Sequence, residues 1–257
     1  DIKELSKLDA LVTCQGSDYT KRVYPELRKS GWNGYFIDAA STLRMDKEAI
    51  IILDPVNREL IDSSLKEGIK TFVGGNCTVS LLIMALGGIL HRDIIEWISS
   101  ATYQAASGAG AKNMLELMNQ MTKLGSLTAD VLKNPAATAL TLEREITLAQ
   151  RASNFPCSEF GAPLAGSLIP WVDSLVEGGQ TREEWKAEVE LNKILMPKTK
   201  IPVDGLCVRV GVLRCHSQAV TIKLKQNLPI DELEGMIAEG NEWVRVIKNT
   251  PEDTRRS

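Results

Sequence analysis

In the stretch Gly74-Gly75-Asn76-Cys77-Thr78-Val79-Ser80 a single thiol stands between turn chemistry and a long apolar run. The glycine pair and Asn76 read as a loop and Thr78 onward as helix, which puts Cys77 in the first helical turn. There the unpaired backbone N–H groups and the helix dipole stabilise a thiolate and lower its pKa. The alternative is a small apolar side chain packed at a strand–helix junction. A nucleophilic cysteine needs a base within reach, and the chain has two histidines. His91, in Leu90-His91-Arg92-Asp93, closes a helix, a solvated position. His216 sits where one β-run gives way to the next, and a strand end suits proton transfer better than mid-strand.

Arg209 falls among Val208, Val210 and Val212 in an otherwise apolar strand. A buried arginine is costly unless its planar fork meets a carboxylate or phosphate. A structural ion pair would satisfy it as well as a ligand would. Arg209 and His216 are separated by an odd number of positions, so on one regular strand they would face opposite sides. Both reach one cleft only through a turn or bulge, for which Gly211 is available. A second constellation opens the helix at Thr181-Arg182-Glu183-Glu184. Thr181 and Glu184 have the spacing of a capping box, which leaves Glu183 free to share a face with Lys186. A surface ion pair is the plain reading of those two. Gln104 to Gly110 is a strand end passing into a small-residue loop that lets backbone approach a ligand.

Around these residues the chain divides in two. Ala10 to Cys14, Gly34 to Ala40, Ala49 to Leu53 and Thr71 to Val73 are short apolar runs, with helical spacing from Tyr19 to Ser30. Apolar strands alternating with helices predict a parallel, doubly wound α/β sheet, whose ligands sit beyond the carboxyl ends of the strands. Gln15 and the run Asp38-Ala39-Ala40-Ser41 lie at such ends. Beyond residue 75 the pattern changes to an α+β segment. Helices are predicted over Cys77 to Leu90, Ala111 to Leu132, Ala139 to Arg151 and Thr181 to Leu195, with strands at Glu96 to Gln104 and within Val203 to Lys225. The polar end, Asn249 to Ser257, shows no closing element.

Composition narrows the class. The 257 residues, 44% hydrophobic and 25% charged, can bury a full core. A net charge of −3 gives no electrostatic footprint for nucleic acid. The cysteines at 14, 77, 157, 207 and 215 contain no C-x-x-C pair and are odd in number, which suits reduced thiols in the cytoplasm and gives no zinc pattern. The longest apolar run, Val79 to Leu90, is far short of the ~20 residues of a membrane span.

Taken together, "GGNCTVS", "ATYQAASGAG", "PLAGSLIPW", "TREEWK", "IPVDGLCVRVGVLRCHSQA" and "FIDAASTLRM" resemble bacterial aspartate-β-semialdehyde dehydrogenases of the Gram-negative type, almost end to end. A reductase of N-acetyl-γ-glutamyl phosphate shares the fold but fits the glutamate-bearing helix less well, and a cysteine hydrolase leaves Arg209, Glu183 and Lys186 without a task. The resemblance implies a Rossmann-like NADP-binding domain, here 1–75, and a catalytic and dimerisation domain, 76–257, of the glyceraldehyde-3-phosphate-dehydrogenase kind. It implies Cys77 as the nucleophile that forms an acyl-thioester, His216 as acid/base and Gln104 as the group positioning substrate. Arg209 would take the substrate α-carboxylate and Glu183 its α-ammonium. Arg44, Asn76, Lys186 and Ser41 would bind phosphate; Gln15, Ser107, Gly108 and Pro135 would contact NADP. The implied reaction is the NADP-dependent reductive dephosphorylation of β-aspartyl phosphate by a homodimer, in the biosynthesis of lysine, threonine, methionine and diaminopimelate. Small molecules are the only ligands implied, with neither nucleic acid nor a membrane.

One departure stands out. The family opens with a strand, a Gly-rich turn and a helix that cradle the cofactor pyrophosphate, and ends with a segment returning to the nucleotide domain. Neither pattern occurs between Asp1 and Ser257. The sequence therefore reads as a core fragment, with a catalytically silent dimerisation and substrate-binding unit as the alternative function.

Overall fold

The four early apolar runs form β1 (Ala10–Thr13), β2 (Tyr35–Asp38), β3 (Ala49–Ile52) and β4 (Thr71–Gly74), a parallel sheet in the order β1-β2-β4-β3. Val12 lies opposite Ile37, and Ile37 opposite Phe72. This computed structural model describes residues 1–256. Compactness divides the chain into two units, the first comprising Asp1–Ser99, Trp185–Asp204 and Thr221–Ser257, the second Ser100–Glu184 and Gly205–Val220.

In the first unit, a short α1 (Ile2–Leu5) precedes β1, and α2 (Ser17–Lys29) buries Thr20, Val23 and Leu27. Tyr24 stacks edge-on against Phe36 of β2 at 5.0 Å. An unexpected helix, α3 (Asp54–Lys66), follows β3. Proline in its first turn costs no hydrogen bond. Asn57 breaks its ladder because its side chain is bonded to the backbone of Leu53 and Ile51 instead. Helix α4 (Cys77–Leu90) begins where the spacing predicts. It is apolar nearly all round because it is core. Leu82, Ile83 and Ile89 are fully buried, each stabilising by about 1.5–3 kcal/mol.

Gly88, one of the two glycines in that apolar run, has a packing reason. A Cβ on Gly88 would lie 1.7 Å from the carbonyl oxygen of Met236, in α8 (Ile230–Ala238), so backbone packs directly on backbone. Asn241 seals the contact by donating to the carbonyl of Met84. The polar C-terminal stretch carries a short helix that its sequence pattern does not announce. Thr250 accepts from the Asp253 N–H at 3.1 Å and caps α9 (Pro251–Arg256). None of the helices among the described residues is long and apolar enough to cross a membrane.

A second sheet has four strands in the order β6-β7-β5-β8: β5 (Ile95–Gln104), β6 (Leu168–Ile169), β7 (Val203–Val210) and β8 (Ser217–Leu224), with β6 antiparallel to β7. The β-rich run after residue 203 is thus two strands joined by a loop at 211–216. Helices α5 (Ala111–Val131) and α6 (Ala139–Arg151) pack over a core of Leu117, Leu124, Phe155 and Leu164. Glu116 and Gln120 on α5 are buried because they bond the backbone of the 156–165 loop. The Glu116 carboxylate accepts from Glu159 and Phe160 N–H, and the Gln120 oxygen from Leu164 and Ala165 N–H. Helix α7 (Arg182–Leu195) starts on the expected capping box, with Thr181 N–H donating to Glu184 at 2.7 Å and Glu184 N–H to Thr181 Oγ1 at 3.2 Å.

Candidate active site

Cys77 is the first residue of α4, and its side chain is exposed. Asn76 makes the position possible. Its side-chain oxygen accepts from Thr78 N–H at 2.9 Å and Val79 N–H at 3.1 Å, fixing the first turn. A thiol placed there meets the positive end of a 14-residue helix, the environment that favours thiolate. Cys207 is the opposite case: burial pushes its thiol up to about 11.

Arg44 belongs to the same unit, in the turn after β2. Its Nε donates to the Gly74 carbonyl at 2.8 Å and its Nη1 to Glu190 at 3.2 Å. Glu190 also accepts the Asn76 N–H at 2.7 Å. The arginine is thus tethered to the two residues that flank Gly75, just before the thiol. Ser41 lies earlier in the turn, its hydroxyl 3.4 Å from that of Ser17 at the start of α2. Lys186 is buried on α7 and is no solvated surface charge. Gln15 is exposed at the carboxyl end of β1, before Gly16, whose φ of 84° opens α2.

The second unit groups a different set. Ala105 is its hinge: its carbonyl accepts from Arg209 Nη1 at 2.7 Å, and its N–H donates to His216 Nδ1 at 3.0 Å. Because Nδ1 is an acceptor, the neutral ring carries its proton on Nε2. Burial lowers the pKa of His216, the Arg209 charge lowers it further, and Glu183 works against both. The odd spacing of Arg209 and His216 is resolved by the loop. Val212 N–H turns back to the Val210 carbonyl at 2.8 Å around Gly211, where a Cβ would come 3.0 Å from the Leu164 oxygen. Ala106 and Ser107 N–H groups then bond the carbonyls of Val212 and Leu213 and hold the loop in place.

Gly108 lies where Arg209 and His216 meet. A Cβ there would sit 3.0 Å from Arg209 Nη1 and 3.2 Å from His216 Nε2. Gln104, almost fully buried, donates to Thr102 at 3.1 Å and reaches Glu183 at 3.4 Å. An acid, an amide, a fork donor and a neutral imidazole thus share one end of the unit. Pro135 lies in the loop between α5 and α6. His91 caps the exposed end of α4, as expected. Among the described residues no cluster of His, Cys, Asp or Glu could hold a metal ion.

Glu190 is the one site residue the motif reading passes over. Its signal is legible, since positions 183, 186, 190 and 193 continue one charged stripe along α7.

The semialdehyde dehydrogenase NAD binding domain model matches residues 1–64, and the semialdehyde dehydrogenase dimerisation domain model matches residues 86–256. The aspartate semialdehyde dehydrogenase from Francisella tularensis is 47% identical, with a TM-score of 0.94 over 100% of this chain and 70% of that one. The aspartate semialdehyde dehydrogenase II from Vibrio cholerae is 24% identical (TM-score 0.74; 98% of this chain, 67% of that one). A Candida albicans aspartate semialdehyde dehydrogenase solved with NADP is 15% identical (TM-score 0.55; 90% and 55%). The last two are similar to this chain in fold.

Proposed function

This chain belongs to the aspartate-semialdehyde dehydrogenase family, and from that premise we propose that it reduces β-aspartyl phosphate to aspartate-β-semialdehyde, reversibly, through a thioester on Cys77. The observation that carries the reading is the exposed thiol at the first position of a capped helix. The Cys77 thiolate attacks the β-acyl carbon, the carbon–oxygen bond to phosphorus breaks, and inorganic phosphate leaves. Arg44, Asn76 and Lys186 hold the phosphoryl oxygens, with Ser41 assisting. Arg209 pairs with the substrate α-carboxylate and Glu183 with its α-ammonium, the matches of charge and shape that a planar fork and a carboxylate provide. Gln104 orients the acyl group. His216 is the acid/base partner: its Nε2–H offers a hydrogen bond to the departing thiolate as the aldehyde leaves, and the imidazolium is the form that gives up a proton.

NADPH, when bound, supplies the hydride that reduces the thioester. Two features fit such a cofactor: Gly108 keeps clear a space that a Cβ would fill beside His216, and Gln15 and Gly16 open exposed at a strand's carboxyl end. Gln15, Ser107, Gly108 and Pro135 would hold it. A homodimer is supported by the dimerisation-domain match and by exposed Leu115, Met118 and Met121, a stripe along α5. Five free thiols suit a cytoplasmic setting. The comparisons lend no support to a catalytically silent fragment.

Iodoacetamide labelling followed by peptide mass spectrometry tests the reading. Cys77 is expected to react first of the five cysteines and to be protected by inorganic phosphate together with an aspartate-like analogue. Uniform labelling of all five would refute it.

A further inference from the structure

The stripe along α7 places Glu183, Lys186, Glu190 and Lys193 on one helix face, at spacings of three, four and three. Glu190 is only 2% exposed, and a charge so buried requires partners. It has two: Oε2 accepts the Asn76 N–H at 2.7 Å, and Oε1 accepts from Arg44 Nη1 at 3.2 Å. Arg44 Nε donates to Gly74, which precedes Asn76 by two residues, at 2.8 Å. Gly74, Arg44, Glu190 and Asn76 thus close a ring around the turn that delivers Cys77 to α4. Lys193 pins the same loop by donating to the Arg44 and Asp46 carbonyls, both at 2.6 Å.

We propose that Glu190 is a positioning residue for anion binding: it fixes the Arg44 guanidinium relative to the Cys77 turn, so that a phosphoryl group meets a preset fork. Arg44 enters as the phosphate ligand of the function proposed above, on which this role rests. Two opposing effects are at stake. A carboxylate beside an arginine weakens the long-range attraction for phosphate, whereas immobilising a rotamer-rich side chain in advance removes an entropic cost of binding. The burial of Glu190 and its hydrogen bonds to both partners favour the second effect. The sign of one substitution separates them.

Glu190→Gln keeps the size and an oxygen for the Asn76 N–H, but turns an amide NH2 toward Arg44 Nη1. Inorganic phosphate is titrated against iodoacetamide labelling of Cys77 in the whole chain. The phosphate dissociation constant is expected to rise about tenfold, the loss of one oriented charge-assisted bond. In an Arg44→Ala background the same change is expected to add nothing. Unchanged or tighter phosphate binding, or a loss that simply adds to that of Arg44→Ala, overturns the proposal. Glu190→Asp, charged but one methylene too short to span both partners, carries the same expectation if the Gln variant does not fold. A wild-type Cys77 that phosphate fails to protect overturns the proposed function and this role with it. Protection that survives Glu190→Gln overturns this role alone.

Discussion

Gly108→Ala separates the cost of crowding the site from the cost of destabilising the fold. An added Cβ would stand 3.0 Å from both Arg209 Nη1 and His216 Cε1, and 3.2 Å from His216 Nε2, where ordinary contact begins at 3.4 Å. The neighbours must give by about 0.4 Å, and neither gives freely. Arg209 is tied to the Ala105 carbonyl at 2.7 Å and His216 to the Ala105 N–H at 3.0 Å. Overpacking of this kind costs about 1 kcal/mol at the low end of its range. Gly108 does not have a positive φ, so alanine is unstrained there and regains about 0.4–1 kcal/mol from the unfolded chain. The two terms nearly cancel, and the melting temperature is expected to stay close to that of wild type. Catalysis has no such offset. At about 100-fold per ångström of misplacement, a 0.4 Å displacement of the imidazole lowers kcat by roughly sixfold. The assay pairs calorimetric melting with steady-state NADPH consumption. Unaltered kcat would refute the crowding argument, and a large fall in melting temperature would show that Gly108 serves the fold instead.

Asn76→Ala removes the acceptor for Thr78 and Val79 N–H and should cost about 1–2 kcal/mol by chemical denaturation, whereas Asn76→Asp keeps it and should cost less. Glu184→Ala strips acceptors from both Thr181 N–H and Cys207 N–H, so it should destabilise by about 2 kcal/mol against about 1 for Thr181→Ala; equal losses would contradict the double role. His216 is held below its ordinary pKa of 6.5 by burial and Arg209, so the unfolded chain takes the proton first as pH falls. Its contribution to stability is present above 6.5 and lost as the pH drops through the depressed folded value; a ring titration by NMR at or above 6.5 would contradict this.

Much of this was legible from short-range rules. A cap, a helix start and a strand's face depend on residues three or four apart, so Asn76 before Cys77 and Thr181 before Glu184 declared themselves in order. Apolar runs between helices specified the parallel sheet, because only a strand covered on both faces can be apolar throughout. Helix α3 was less legible, since Asn57 interrupts its ladder, and α9 less again, because a six-residue polar helix offers no apolar periodicity. The functional pairings lay beyond local rules. His216 bonds a backbone N–H 111 residues away, Arg209 a carbonyl 104 away, and Glu190 links Asn76 and Arg44 at separations of 114 and 146. The sequence by itself determined which side chains could do chemistry and where a thiolate would be stabilised, since a helix terminus creates its own field. Which histidine nitrogen holds the proton, and which carboxylate steadies the arginine, were decided only by tertiary structure. Those choices depend on backbone groups that meet after the chain has folded, and no spacing along the sequence encodes their distance.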